Sequence, residues 1–180
     1  MTMPYHKVNV LTGFKSAAEI KDPKALAKII KRAERPLLVV GPKALTMVVV
    51  DKPFIEYLVE MAKVANIPIC ATAHTKGRIE QLGAVPDSTY DVMEIINHLK
   101  DPDWKGVRGE GNHDLVIFGG FRTDLGNQGL STLKHFAPHL KTLTLCKYYY
   151  PNATFSLPNF RKDEEWKALL EGLIEELKVS

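Results

Sequence analysis

The chain has 180 residues, 45% of them hydrophobic and 25% charged, with 24 Lys and Arg against 21 Asp and Glu for a formal charge of +3, and two cysteines in all. That is enough chain to bury roughly 70% of its unfolded surface without disulfides or a structural metal, which excludes the small secreted scaffolds. Lys and Arg are interspersed with acidic residues, which excludes a basic nucleic-acid stripe, and no apolar run approaches the roughly 18 residues that a membrane span needs.

Residues 1–22 have little periodic pattern and are expected to form an arm; residues 1–7 lack a charged segment leading into an apolar core, so a soluble cytoplasmic protein is expected. Asp22-Pro23 reads as an N-cap followed by a proline at the first helical position, and Leu26, Ile29, Ile30 and Ala33 then share one face of a helix that ends before Pro36. Residues 37–40, wholly apolar and closed by Gly41-Pro42, read as a strand covered on both faces. A helix over 52–65, a strand at 69–71, a helix over 89–99, a glycine- and proline-rich loop over 101–112 and a strand at 115–118 follow. The chain closes with a helix over 125–137, a strand at 142–145, an aromatic segment over 148–160 and a strongly amphipathic helix over 162–178. Apolar strands alternating with amphipathic helices predict one three-layer, doubly wound α/β domain with a mainly parallel sheet of five or six strands.

In such a sheet the loops at the carboxyl ends of the strands surround a crevice where the strand order reverses. Three loops put suitable residues there: Gly41 in the first, Thr75, Lys76 and Gly77 in the second, and Gly119, Gly120 and Arg122 in the third. Glycine permits close backbone approach and the cations suit a phosphate-bearing ligand, with tight turns and solvated charges as the competing reading. Gly109-Glu110-Gly111 precedes its strand and is not a dinucleotide fingerprint, and the absence of a G-x-x-x-x-G-K-[ST] run excludes a P-loop ATPase. The second strand carries no acidic residue at its tip to hold a ribose, so flavin is easier to accommodate than NAD. His74, His113 and Asp114 are the nominal acid–base residues, without a nucleophile to serve. Cys70 and Cys146 lack ligand spacing and read as inert core thiols. Successive side chains of an extended segment alternate faces, so Tyr148, Tyr149 and Tyr150 cannot all be buried together. With Trp104 they are the candidates for self-association or docking to a partner.

Ala33-Glu34-Arg35-Pro36 before the first strand, Asn66-Ile67-Pro68 before the second and Thr75-Lys76-Gly77 after it resemble the middle domain of thiamine-diphosphate enzymes, which has the deoxyhypusine-synthase-like NAD/FAD-binding fold and carries FAD in some relatives. Over the whole chain, Leu11-Thr12-Gly13, Arg35-Pro36, the strand running from Asp114 to Gly120 and Tyr148-Tyr149-Tyr150-Pro151-Asn152-Ala153 resemble the epsilon-subunit family of the archaeal acetyl-CoA decarbonylase/synthase complex. That resemblance implies a complex that reversibly cleaves and makes acetyl-CoA in anaerobic one-carbon metabolism. Its alpha subunit, which carries the nickel and iron–sulfur clusters, would pair with this chain as alpha2-epsilon2 in the carbon monoxide dehydrogenase component. The chain itself would be non-catalytic, stabilising the assembly or assisting flavin-linked electron transfer. Two separated cysteines agree with that division of labour. The thiamine G-D-G motif and the four zinc cysteines of the related sirtuins are both missing. The alternative is an independent flavin- or nucleotide-binding oxidoreductase.

Overall fold

The structure, a computed structural model, describes residues 15–72 and 74–179. The segment 1–7, Leu11-Thr12-Gly13 and Ala73 of the second loop lie outside the described residues.

A seven-stranded sheet runs in the order β1-β9-β8-β7-β2-β5-β6, where β1 is Ala18–Glu19, β2 Pro36–Val40, β5 Ile69–Ala71, β6 Ser88–Thr89, β7 Leu115–Gly119, β8 Lys141–Thr144 and β9 Phe155–Ser156. All six pairings in it are parallel, and β3 (Val48–Val49) with β4 (Lys52–Pro53) makes a separate antiparallel hairpin. Leu37 to Val40 of β2 are each 0% exposed. Each such side chain contributes roughly 1.5–3 kcal/mol on burial, which is why an unbroken apolar run becomes a central strand.

The helices are α1 (Pro23–Lys31), α2 (Phe54–Ala65), α3 (Lys76–Gln81), α4 (Val92–Lys100), α5 (Thr123–Phe136) and α6 (Asp163–Lys178). α1 starts as its sequence requires: Asp22 accepts from the Lys24 amide at 3.2 Å, with Pro23 at the first position. α2 ends at Asn66 in the left-handed conformation. α4 begins three residues later than expected because Asp91 and Glu94 form a reciprocal capping box. α1 and α2 pack on α6, and α4 packs on α5. Right-handed crossovers moving in opposite directions from β2 and β7 put these two groups on opposite faces of the sheet.

Three expectations are corrected. The sheet has seven strands where five or six were expected, because β1, β6 and β9 are two-residue strands at or next to its edges, too short to carry periodicity. Part of the expected arm is therefore structured, with Ala18 and Glu19 paired to Phe155 and Ser156. The helix predicted from residue 52 begins at Phe54, after the hairpin has used Lys52 and Pro53.

Candidate functional site

β2 leads through α2 to β5 on one side, whereas β7 leads through α5 to β8 on the other, so the carboxyl ends of β2 and β7 are the point where the connections part. A groove of about 550 Å³ opens there. The segment after β2 contributes Lys43 and Met47, the turn from β7 into α5 contributes Phe121 to Asp124, and the segment after β8 contributes Cys146, Tyr148 and Tyr150. Its volume falls within the range of small-molecule sites.

Of the predicted cofactor residues only Arg122 lines the groove; Gly41, Gly119 and Gly120, in the segments that lead to it, pack against the chain itself. The Gly41 amide donates to the Gly119 carbonyl and the Lys43 amide to the Gly120 carbonyl, each at 2.8 Å. A Cβ on Gly41 would lie 2.4 Å from the Gly120 oxygen, and one on Gly119 would lie 2.5 Å from Leu58 Cδ1. Gly120 has φ +79, a Cβ there would lie 2.4 Å from the Ala44 nitrogen, and its amide donates to Cys146 Sγ at 3.3 Å. The two loops thus need glycine to close on one another. The amides of Gly41, Lys43 and Gly120, which a pyrophosphate cradle would use, already have partners.

The cations differ in how free they are. Arg122 pairs with Asp124 at 2.6 Å, and that hydrogen-bonded pairing raises the guanidinium pKa and holds the carboxyl below its ordinary range. Lys76 is exposed and lies 4.0 Å from Glu80 one helical turn on. Thr75 is buried, its hydroxyl donating to the Thr72 carbonyl at 2.9 Å, and a Cβ on Gly77 would meet open space. Thr75, Lys76 and Gly77 do not line the groove, so two of the three expected loops converge and the second does not. Lys43 lines it, and its ammonium has no side-chain partner among the described residues.

The tyrosine run alternates as its extended backbone requires. Tyr148 is 50% exposed at the groove rim. Tyr149 is half-buried and donates its hydroxyl to the Ala17 carbonyl at 2.8 Å. Tyr150 is buried, donates to the Phe121 carbonyl at 3.3 Å, and has its pKa raised strongly by that burial. Gly126 of α5 makes room for it, since a Cβ there would lie 2.9 Å from Tyr150 Cε1. Trp104 is half-buried, stacked on His98 (ring centroids 5.2 Å) and in tilted contact with His113 (5.6 Å). Of the four candidate docking residues, Tyr148 therefore presents the most ring surface within this chain.

His113 and Asp114 sit before β7, at the opposite edge from the groove. The Val107 amide donates to His113 Nε2 at 3.3 Å, which fixes the neutral tautomer with Nδ1 donating to the Arg35 carbonyl at 3.0 Å, and burial pushes the imidazole pKa down. Asp114 accepts from the Glu34 and Arg35 amides at 2.9 and 2.8 Å. Both residues hold the turn into β2. His74 is exposed on the second loop. Cys70 and Cys146 are buried free thiols whose pKa values burial raises, which disfavours the thiolate. Among the described residues no group of three or more His, Cys, Asp or Glu side chains could hold a metal ion, and no helix is long and apolar enough to cross a membrane. Tyr148, expected as a docking residue, lines the groove, as does Lys43 of the loop that follows Gly41-Pro42; Met47 carried no sequence signal as a groove residue.

Sheet order and groove position define the class: a doubly wound α/β module with a groove at the carboxyl ends of its central strands. The chain belongs to the family described as CO dehydrogenase beta subunit/acetyl-CoA synthase epsilon subunit, which matches residues 1–174. It is similar to the acetyl-CoA decarbonylase/synthase complex subunit epsilon of Methanothermobacter thermautotrophicus, 44% identical over 93% of this chain and 92% of that protein. It is also similar to subunit epsilon 1 of Archaeoglobus fulgidus, 38% identical over 86% of this chain and 82% of that one. Subunit epsilon 2 of Methanosarcina mazei is 38% identical over 87% and 88%.

Proposed function

We propose that the chain is an accessory epsilon subunit of an acetyl-CoA decarbonylase/synthase complex. In this reading it docks on the alpha subunit, as alpha2-epsilon2, in the carbon monoxide dehydrogenase component, stabilises that assembly in the cytoplasm and is non-catalytic alone. The observation that carries the reading is 44% identity over 93% of the chain to a protein so named. The geometry supports it: His113 and Asp114, the nominal acid–base pair, are engaged in holding a turn away from the groove. The test compares carbon monoxide oxidation and thermal stability of the catalytic subunit with and without this chain, and assays the chain alone. A stabilised catalytic subunit and an inert isolated chain are expected. Turnover by the isolated, metal-analysed chain at a rate comparable to the complex would refute the reading.

A second reading, flavin binding in a deoxyhypusine-synthase-like fold, is favoured by the groove's volume and by Tyr148 at its rim. Tyr148 and Phe121 would contact a ring, and Lys43 with Arg122 would face a phosphate. The glycine loops fit less well, because the amides of Gly41, Lys43 and Gly120 are satisfied within the chain. A calorimetric FAD titration of the wild type, of Lys43→Ala and of Lys76→Ala with Arg122→Ala tests it. Saturable binding weakened by Lys43→Ala supports the groove, and loss only in the double variant moves the site to the second and third loops.

A further inference from the structure

The glycine turns of an open parallel sheet ordinarily leave room for a diphosphate, which lies against free backbone amides where a strand gives way to a helix. Here the chain itself fills that room. A Cβ on Gly41 would lie 2.4 Å from the Gly120 oxygen, and one on Gly120 would lie 2.4 Å from the Ala44 nitrogen, so the segments after β2 and β7 touch backbone to backbone. The contact is closed chemically as well. The Gly41 and Lys43 amides donate to the carbonyls of Gly119 and Gly120, and the Gly120 amide donates to Cys146 Sγ. A diphosphate cradled between these turns would have to displace all three bonds.

The groove nevertheless has the parts for a smaller ligand. Tyr148 is 50% exposed at its rim, and Phe121 and Met47 also line it, which gives a planar ring two aromatic side chains and a thioether to pack against. Of the two cations that line the groove, Arg122 is paired with Asp124 at 2.6 Å, so those two together add no net charge. The Lys43 ammonium has no side-chain partner among the described residues and offers three donors, enough for the oxygens of one phosphate. A second phosphate finds no comparable donor. The loop with Thr75, Lys76 and Gly77, which the other half of a dinucleotide would need, does not line the groove.

We propose that the groove is a mononucleotide site. It takes one planar aromatic ring bearing a single phosphate, with Tyr148 and Phe121 against the ring and Lys43 on the phosphate, and it rejects the dinucleotide that a likeness to FAD-carrying folds implies. The proposal narrows the flavin reading and rests on the groove being a ligand site. Packing of this kind selects the face of a ring and not its edge, so the class covers a flavin and a nucleobase.

Calorimetry of the full chain against flavin mononucleotide, adenosine monophosphate, FAD and riboflavin tests it. One of the two mononucleotides should bind about tenfold or more tightly than FAD, which adds the second phosphate, and than riboflavin, which lacks any. The tighter of the two identifies the ring. Lys43→Ala should lower its affinity by about tenfold or more, Lys43→Arg should retain most of it, and Tyr148→Ala should weaken it several-fold, all with Tm unchanged. FAD bound as tightly as either mononucleotide would overturn the proposal and leave the flavin reading standing. Mononucleotide affinity unaltered by Lys43→Ala would also overturn it, because the phosphate would then lie elsewhere. No saturable binding of any of the four ligands by the folded chain would remove the flavin reading and the proposal together.

Discussion

The two edges of the sheet are built from similar residue types to different ends. At the amino edge, Asp114 takes two amides, both His113 nitrogens are engaged, Arg35 Nε donates to the Asn112 carbonyl at 2.7 Å and Trp104 contacts two imidazoles. At the carboxyl edge Lys43 has no side-chain partner among the described residues, two valines and a tyrosine face solvent, and a valine sits in the left-handed region. Polar groups satisfied inside the chain stabilise the fold. Groups left over, together with local strain, mark where something else is to be met.

The comparison is broken most severely at the contact beneath the groove. Gly120→Ala adds a Cβ 2.4 Å from the Ala44 backbone at a positive φ, and should destabilise the chain by about 2–4 kcal/mol in urea unfolding. Asp114→Ala at the amino edge removes both hydrogen bonds from the Glu34 and Arg35 amides, which water can then reach, and should cost about 1–2 kcal/mol in the same measurement.

Next comes pH. Burial holds His113 below its ordinary value of 6.5, so as pH falls the unfolded chain takes up this proton before the folded one. Its contribution is level above pH 6.5 or so and falls by about 1.4 kcal/mol per pH unit below that, until the folded imidazole protonates. Unfolding midpoints between pH 5 and 8 check this, and His113→Gln should flatten the profile. The smallest effect belongs to the surface pair: Arg122→Ala removes an exposed contact to Asp124 and should leave Tm unchanged within error.

Much of the scaffold was legible because burial writes itself into periodicity. The strand at 69–71 and the start of α1 at Asp22-Pro23 coincide with the structure, and the strand expected at 115–118 extends by one residue to Gly119. Two-residue strands and the 48–53 hairpin were not legible, since register with a distant strand and a strained turn have no local signature. The groove was half legible. Parallel-sheet topology points to the ends of β2 and β7, but nothing local shows that Gly41 and Gly120 close on each other, or that Tyr148 rims the same groove as Lys43. The loop holding Lys76 was expected to join them and does not line the groove, because a strand's carboxyl end sets the edge a loop leaves from and not where its side chains converge.

Hydrogen exchange of the chain, free and saturated with the mononucleotide, sets the two edges against each other in one experiment. Protection gained on binding at residues 43–47, 121–124 and 146–150, with residues 101–114 unchanged, is the predicted result. Protection gained at 101–114, with the groove segments exchanging as in the free chain, would contradict the account.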